Sequence, residues 1–231
     1  MTGAEIVARL LYRDALMLVV DKPAGLPVHP GPRGGETLAD HLDALRFGLP
    51  RRPQAVHRLD RDTSGCLVLG RHAAALRRLG ALFRQGAVDK VYWAVVEGSP
   101  EGEAGTIDRP LARRSPGRGW WMRVDPAGEN ALTHWRVLGR GDALALLELQ
   151  PVTGRTHQLR VHCAAAGWPI LGDPIYGTAP RSGGPGLHLH ARAVTVPLHP
   201  GKPPIAVAAP LPPGMRPLVA ALADGRAGAD P

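Results

Sequence analysis

His57-Arg58-Leu59-Asp60-Arg61-Asp62-Thr63-Ser64-Gly65 runs directly into Cys66-Leu67-Val68-Leu69 and then Gly70. The first part gathers a histidine, two arginines and two carboxylates and ends in turn-forming residues. The second is a short apolar run bounded by glycine, which reads as a buried strand. A dense charged loop is thus pinned to a strand, the kind of support on which catalytic groups are best held. Alone, H-R-x-D also fits a solvated turn with weak surface ion pairs, so the rest of the chain has to decide.

Toward the N-terminus, residues 16–20 read as a strand preceded by a turn at Arg13-Asp14. Residues 21–30 carry three prolines, which forbid helix and favour a stiff extended loop. Leu38, Leu42 and Leu45 after Thr37 predict a helix of about three turns with Thr37 as its N-cap. On the other side, residues 71–85 place Leu76, Leu79, Leu82 and Phe83 on one face of a helix that Gly86 stops. Its arginines on the opposite face read as an ordinary solvated surface. Residues 90–98 are β-branched and aromatic and predict a strand.

Residues 99–128 look looser, and within them 113–123 interleave arginines with Trp120 and Trp121. That mixture suits a loop gripping nucleic acid, with cations for phosphates and aromatic faces for bases. It equally suits a surface hairpin tip. Strands follow at 131–138 and 143–149, then a helix from about 154 to 166 with Gly167 beyond its end, a turn-rich loop at 169–177 and a strand at 193–196. A short helix at 215–223 and a frayed tail close the chain. No internal repeat or linker stands out, so one compact domain spanning 1–231 is expected, with its core at about 16–209.

The chain has 231 residues, a formal net charge of +8 and 44% hydrophobic residues. Lys22, Lys90 and Lys202 are the only lysines, so arginine supplies nearly all the positive charge. Planar guanidinium groups pair with phosphates and stack on bases, which fits a nucleic-acid surface; a GC-rich coding bias produces the same skew. Cys66 and Cys163 are too few for a disulfide framework and read as buried free thiols. With neither a signal peptide nor a membrane-length apolar run in view, the expectation is a soluble cytoplasmic monomer.

Arg155 and Arg160 at the start of the helix near 154 make either a phosphate seat or a partner for a buried carboxylate. The five histidines from His157 to His199 match no standard ligand spacing, and no metal is expected. Neither a phosphate-binding G-x-x-x-x-G-K-[ST] loop nor a G-x-S-x-G elbow is present, which argues against a P-loop hydrolase and a serine hydrolase. What remains is a carboxylate, an arginine able to hold it, a tyrosine on a strand and a basic surface. That set suits cofactor-free covalent or electrostatic catalysis at a nucleotide.

The motif at 57–65, Lys90-Val91-Tyr92-Trp93-Ala94 and the segment 153–162 together resemble the RluA family of RNA pseudouridine synthases. The segments 21–25, 172–177 and 189–191 agree in order and spacing, so the resemblance runs from about Leu16 to Ala209. It implies an α+β fold with a bent, mixed, mostly antiparallel central sheet flanked by helices and loops. It also implies an isomerase that needs no cofactor and converts a uridine of ribosomal or transfer RNA to pseudouridine. By the family pattern Asp60, rather than Asp62, is the catalytic carboxylate. Tyr92 stacks on the uracil, Arg160 pairs with the catalytic aspartate, and Arg58 fills the gap left in the RNA stack. Arg155, His57 and Arg61 are expected to make RNA or loop contacts. Many relatives carry a separate N-terminal S4-type RNA-binding module, for which this chain offers no room, so the catalytic domain itself is expected to grip the RNA. An inactive RNA-binding protein on the same scaffold, and a Mg²⁺-dependent aspartate phosphotransferase, are the competing classes.

Overall fold

A computed structural model describes residues 1–31, 34–114 and 121–224. The chain divides into two compact units, each assembled from two stretches of sequence: 1–90 with 191–210, and 91–190 with 211–231.

In the first unit β1 (Leu10–Arg13) and β2 (Met17–Lys22) form an antiparallel hairpin. Its turn is closed by the Asp14 carboxylate, which accepts from the amides of Leu16 and Met17 at 2.7 and 2.6 Å. β2 pairs antiparallel with β4 (Ser64–Gly70), whose edge also carries the short β3 (Gln54–Ala55). β11 (Leu189–Val196) follows β4 in the sheet and is paired by β12 (Ile205–Ala208).

Period-two alternation buries both faces of β2 and β4. Met17, Val19, Cys66 and Val68 join one cluster with Leu79 of the helix α2 (Ala73–Arg84) and Val207 of β12. The alternate residues Leu18, Val20, Leu67 and Leu69 point the other way and are equally buried. α1 (Gly3–Ala8), which the sequence reading did not anticipate, is closed by a capping box between Thr2 and Glu5. Residues Leu38–Leu45 bury the expected leucines but wind as a 3₁₀ helix, not an α-helix. The Asp40 carboxylate takes both the amide and the hydroxyl of Thr37 at 2.8 and 2.9 Å, which tightens that first turn.

In the second unit β5 (Asp89–Glu97), which begins at the unit boundary, is followed by β10 (Leu144–Pro151), β9 (Leu132–Arg140) and β6 (Ala104–Asp108), all antiparallel. Alternation again sorts the side chains. Ala94, Val96, Ala145, Leu147 and Leu149 face a cluster with Leu159 and Cys163 of α3 (Gln158–Ala165) and Trp168. Val95 and Leu146 face Met215, Val219 and Leu222, the last two from α4 (Arg216–Asp224). The stretch expected to be loose holds β6 and a separate hairpin of β7 (Leu111–Arg113) and β8 (Met122–Val124). Of the Arg/Trp stretch at 113–123, Arg113 ends β7 and Met122 and Arg123 begin β8, while residues 115–120 lie outside the described residues.

This is the α+β, mixed and mostly antiparallel architecture that the resemblance implied. Among the described residues no helix is long and apolar enough to cross a membrane. Both cysteines are buried free thiols, and burial pushes Cys66 up to about 12, far from a reactive thiolate.

Candidate active site

Asp60 opens a turn in which its carbonyl accepts from Thr63 N at 3.2 Å. That turn is clamped from behind. Lys22, fully buried, spends its three ammonium donors on the carbonyls of Pro23, Leu26 and Arg61 at 2.8, 2.7 and 2.9 Å. Gly25 N donates to the same Arg61 carbonyl at 2.9 Å. Burial lowers the Lys22 ammonium to about 8, against the opposing pull of Asp62 and Asp60. The segment 21–26 is thereby a brace for the turn that carries Asp60.

The motif's last residue is fixed sterically. Gly65 has φ +104°, and a Cβ there would lie 2.2 Å from the Ala191 carbonyl oxygen. Between these restraints Arg58 and Arg61 are exposed, and Asp60 is partly buried. Arg61 forms a 3.0 Å surface pair with its neighbour Asp62.

His57 takes the loop-contact role rather than an outward one. Its Nε2 accepts from Val68 N at 3.0 Å, and its ring stacks on Phe83 at 4.5 Å. Burial, aided by the Lys90 charge, pulls its pKa down to about 3, which keeps the imidazole neutral and able to accept.

In the second unit Tyr92 lies on β5, partly buried, opposite Leu149 of β10 and against the α3-side cluster. Arg155 and Arg160 take different roles. α3 begins at Gln158, later than the sequence suggested, so Arg155 sits in the preceding turn. There Arg155 is ion-paired with Glu129 and donates to the Asn130 carbonyl at 3.0 Å. The Gln158 side chain organises this turn: Oε1 accepts from the Thr153 hydroxyl and Arg155 N, and Nε2 donates to the Leu132 carbonyl.

Arg160 is buried, with Nε and Nη2 on the two Asp173 oxygens at 2.7 and 2.8 Å. The buried carboxylate that it partners here is Asp173, 13 residues on in the chain. Burial alone would raise Asp173, but Arg160 and the amides of Ile175 and Tyr176 outweigh it and hold the carboxyl below its usual range. Tyr176 completes the cluster: its ring lies 5.2 Å from the Arg160 guanidinium, and its hydroxyl is 2.8 Å from His157 Nδ1.

Lys22, Asp173, Tyr176 and His157 were not singled out from sequence. A lysine is expected at the surface, and the Asp173 partner lies 13 residues from Arg160 with no local periodicity to join them. The available signal was the turn chemistry around Gly-Asp-Pro at 172–174.

Residues 16–165 match the family model described as RNA pseudouridylate synthase. An uncharacterized RNA pseudouridine synthase of Zymomonas mobilis is 46% identical over 83% of this chain and 88% of its own length. Ribosomal large subunit pseudouridine synthase D of Pseudomonas aeruginosa is 40% identical over 75% of this chain, but the match spans only 54% of that protein. The solved structure titled human RNA pseudouridylate synthase domain containing 4 aligns with a TM-score of 0.77 at 30% identity, covering 94% of this chain and 95% of that one. With its motifs on a pinned turn and a buried arginine helix, and with matches of this extent, the chain belongs to the RNA pseudouridylate synthase family, whose members are RNA isomerases.

Proposed function

We propose that this protein isomerises a uridine of ribosomal RNA to pseudouridine, with Asp60 as the catalytic carboxylate. The observation that carries the reading is the Asp60 turn: its backbone is locked by Lys22 and Gly25, while Arg58 on the same loop stays exposed. Preorganised backbone with outward functional groups is what a reacting site needs. The name of the Pseudomonas relative, a ribosomal large subunit pseudouridine synthase, supports ribosomal over transfer RNA.

The glycosidic bond of a stacked uridine is out of reach, so the nucleotide has to be flipped out at a cost of a few kcal/mol. Arg58 offsets part of that cost by occupying the vacancy. Tyr92 offers a ring for the extruded uracil, and its hydroxyl is the candidate for moving the C5 proton. Arg160 is the guanidinium assigned to keep Asp60 ionised. Arg155, already paired with Glu129, contributes an RNA phosphate contact. The protein acts as a single catalytic domain, a cytoplasmic monomer.

The test is to incubate the protein, without metal or nucleotide, with unmodified ribosomal and transfer RNAs and to map new pseudouridines by chemical labelling and primer extension. A discrete ribosomal site is expected. Salt-sensitive RNA binding with no new pseudouridine in any RNA would favour the inactive binding protein, and activity lost in EDTA would favour the metal-dependent class.

A further inference from the structure

Arg160 is restrained on more sides than charge neutralisation needs. Asp173 holds it in plane through two parallel hydrogen bonds, and that carboxylate is itself anchored, its Oδ1 also accepting from Ile175 N at 2.9 Å and Tyr176 N at 3.1 Å. The Tyr176 ring covers the guanidinium at 5.2 Å. Tyr176 is fixed in turn: its hydroxyl accepts from Met122 N at 2.9 Å, at the start of β8, and meets His157 Nδ1 at 2.8 Å. Both restraints come from one turn, 172–177. Its first residue, Gly172 (φ +78°), packs so closely that a Cβ would lie 1.7 Å from the Gly186 carbonyl oxygen.

On the other side of Arg160, His157 Nε2 lies 3.5 Å from Nη1. His157 occupies the left-handed region at φ 53°, unusual for a residue with a side chain. A buried ion pair is a poor device for stability alone, because desolvation offsets the attraction. A bidentate, face-covered guanidinium on a strained helix entry is instead a device for fixing orientation.

We propose that Asp173 and Tyr176 are positioning residues that set the orientation of Arg160, so that the isomerisation rate depends on them and RNA affinity does not. The inference rests on the reading above, in which Arg160 serves the reaction. It assigns the turn 172–177 a part in catalysis through Arg160, without contact to the substrate.

The test compares Asp173→Asn, Tyr176→Leu and Tyr176→Phe in the full chain. Three quantities are read: the single-turnover rate of pseudouridine formation, the RNA Kd, and solvent exchange of the Arg160 Nε–H in ¹⁵N-edited NMR, assigned by its loss in Arg160→Lys. In Asp173→Asn the rate is expected to fall about 10- to 100-fold, the scale set by small misplacements of a reacting group. Exchange at Arg160 should accelerate by at least about tenfold as its two hydrogen bonds loosen, with Kd changed by less than about threefold. Tyr176→Leu should also slow the reaction, and Tyr176→Phe, which keeps the ring over the guanidinium, should recover most of that loss.

An unchanged rate in Asp173→Asn, or a Kd that worsens in step with the rate, would overturn the proposal. Should Asp173→Asn fail to fold, Tyr176→Leu decides, since it leaves the ion pair in place: a wild-type rate there overturns the proposal. Wild-type protein that modifies no RNA would overturn the underlying reading first, and the proposal with it, before any variant is compared.

Discussion

Arg61 and Arg160 each pair with an aspartate, and the two pairs differ in every physical respect. The Arg61–Asp62 pair is a contact between sequence neighbours, with side chains 67% and 32% exposed. Arg160–Asp173 spans 13 residues, and its side chains are 4% and 0% exposed. Exposed pairs contribute about 0–1 kcal/mol and are screened by salt. A buried pair contributes little net stability when intact, yet it is costly to break by removing one partner.

The contrast extends to how each unit fixes its candidate residues. In the first unit the backbone is held, by Lys22 on three carbonyls and by the glycine contact at Gly65. Arg58 and Arg61 of the motif are exposed, and Asp60 and Asp62 are partly buried. In the second unit side chains hold one another, and Arg160 is enclosed. The first arrangement fixes where the motif's chain runs, whereas the second fixes the orientation of one guanidinium.

The sharpest way to break this comparison is Asp173→Asn against Asp62→Asn. Removing the buried partner should cost about 3–5 kcal/mol; removing the exposed one should cost less than about 1 kcal/mol. Denaturant melts of both variants check this, and similar losses would erase the distinction. Gly65→Ala should rank next: the new Cβ would press on the Ala191 backbone and demand φ +104° of a residue with a side chain. A loss of about 1–3 kcal/mol is expected, as for other backbone strain of this kind. A stability within error of wild type would show that β4 and β11 can part there without cost.

A pH titration isolates the brace around His57. Its pKa is about 3 in the folded protein against 6.5 for the free side chain. Between those values the unfolded chain binds a proton that the folded one refuses. Stability attributable to His57 is therefore complete above about pH 6.5 and falls as pH drops toward 3, by at most about 1.4 kcal/mol per unit. His57→Gln should remove that component, and an identical pH dependence in the variant would place the effect elsewhere. The smallest effect belongs to the exposed arginines at the β7–β8 hairpin. Replacing Arg113 and Arg114 by Gln should leave stability unchanged and flatten the salt dependence of RNA binding by about one unit per lost phosphate contact. An unchanged slope would make that hairpin a purely structural element.

Legibility in the sequence followed the physics of each region. β2, β4, β5, β9 and β10 are runs of apolar or β-branched residues long enough to show, and α2 shows its face through Leu76, Leu79, Leu82 and Phe83. β6–β8 were missed because they are only 3–5 residues long, and β6 is interrupted by Gly105. At Gly105 the missing side chain makes room for Trp135, a reason that only the packed sheet reveals. The 3₁₀ winding of Leu38–Leu45 depends on how Asp40 closes on Thr37, which spacing alone does not encode. The turn that carries Asp60 was legible in its motif and turn residues, and only the family resemblance separated Asp60 from Asp62 as the candidate carboxylate. Asp173 and Lys22 were not, because their roles depend on partners brought together by folding: two guanidinium nitrogens for one, three backbone carbonyls for the other.

The most direct test of the account is Asp60→Asn, with pseudouridine yield, RNA affinity and melting temperature measured on one preparation. Asp60 is proposed to do chemistry on a turn held by Lys22 and Gly25, and its own side chain is only partly buried. The account predicts a loss of turnover of at least about 10³-fold, with RNA Kd within about threefold of wild type and an unchanged melting temperature. Turnover that survives, or that is lost together with binding and stability, would contradict it.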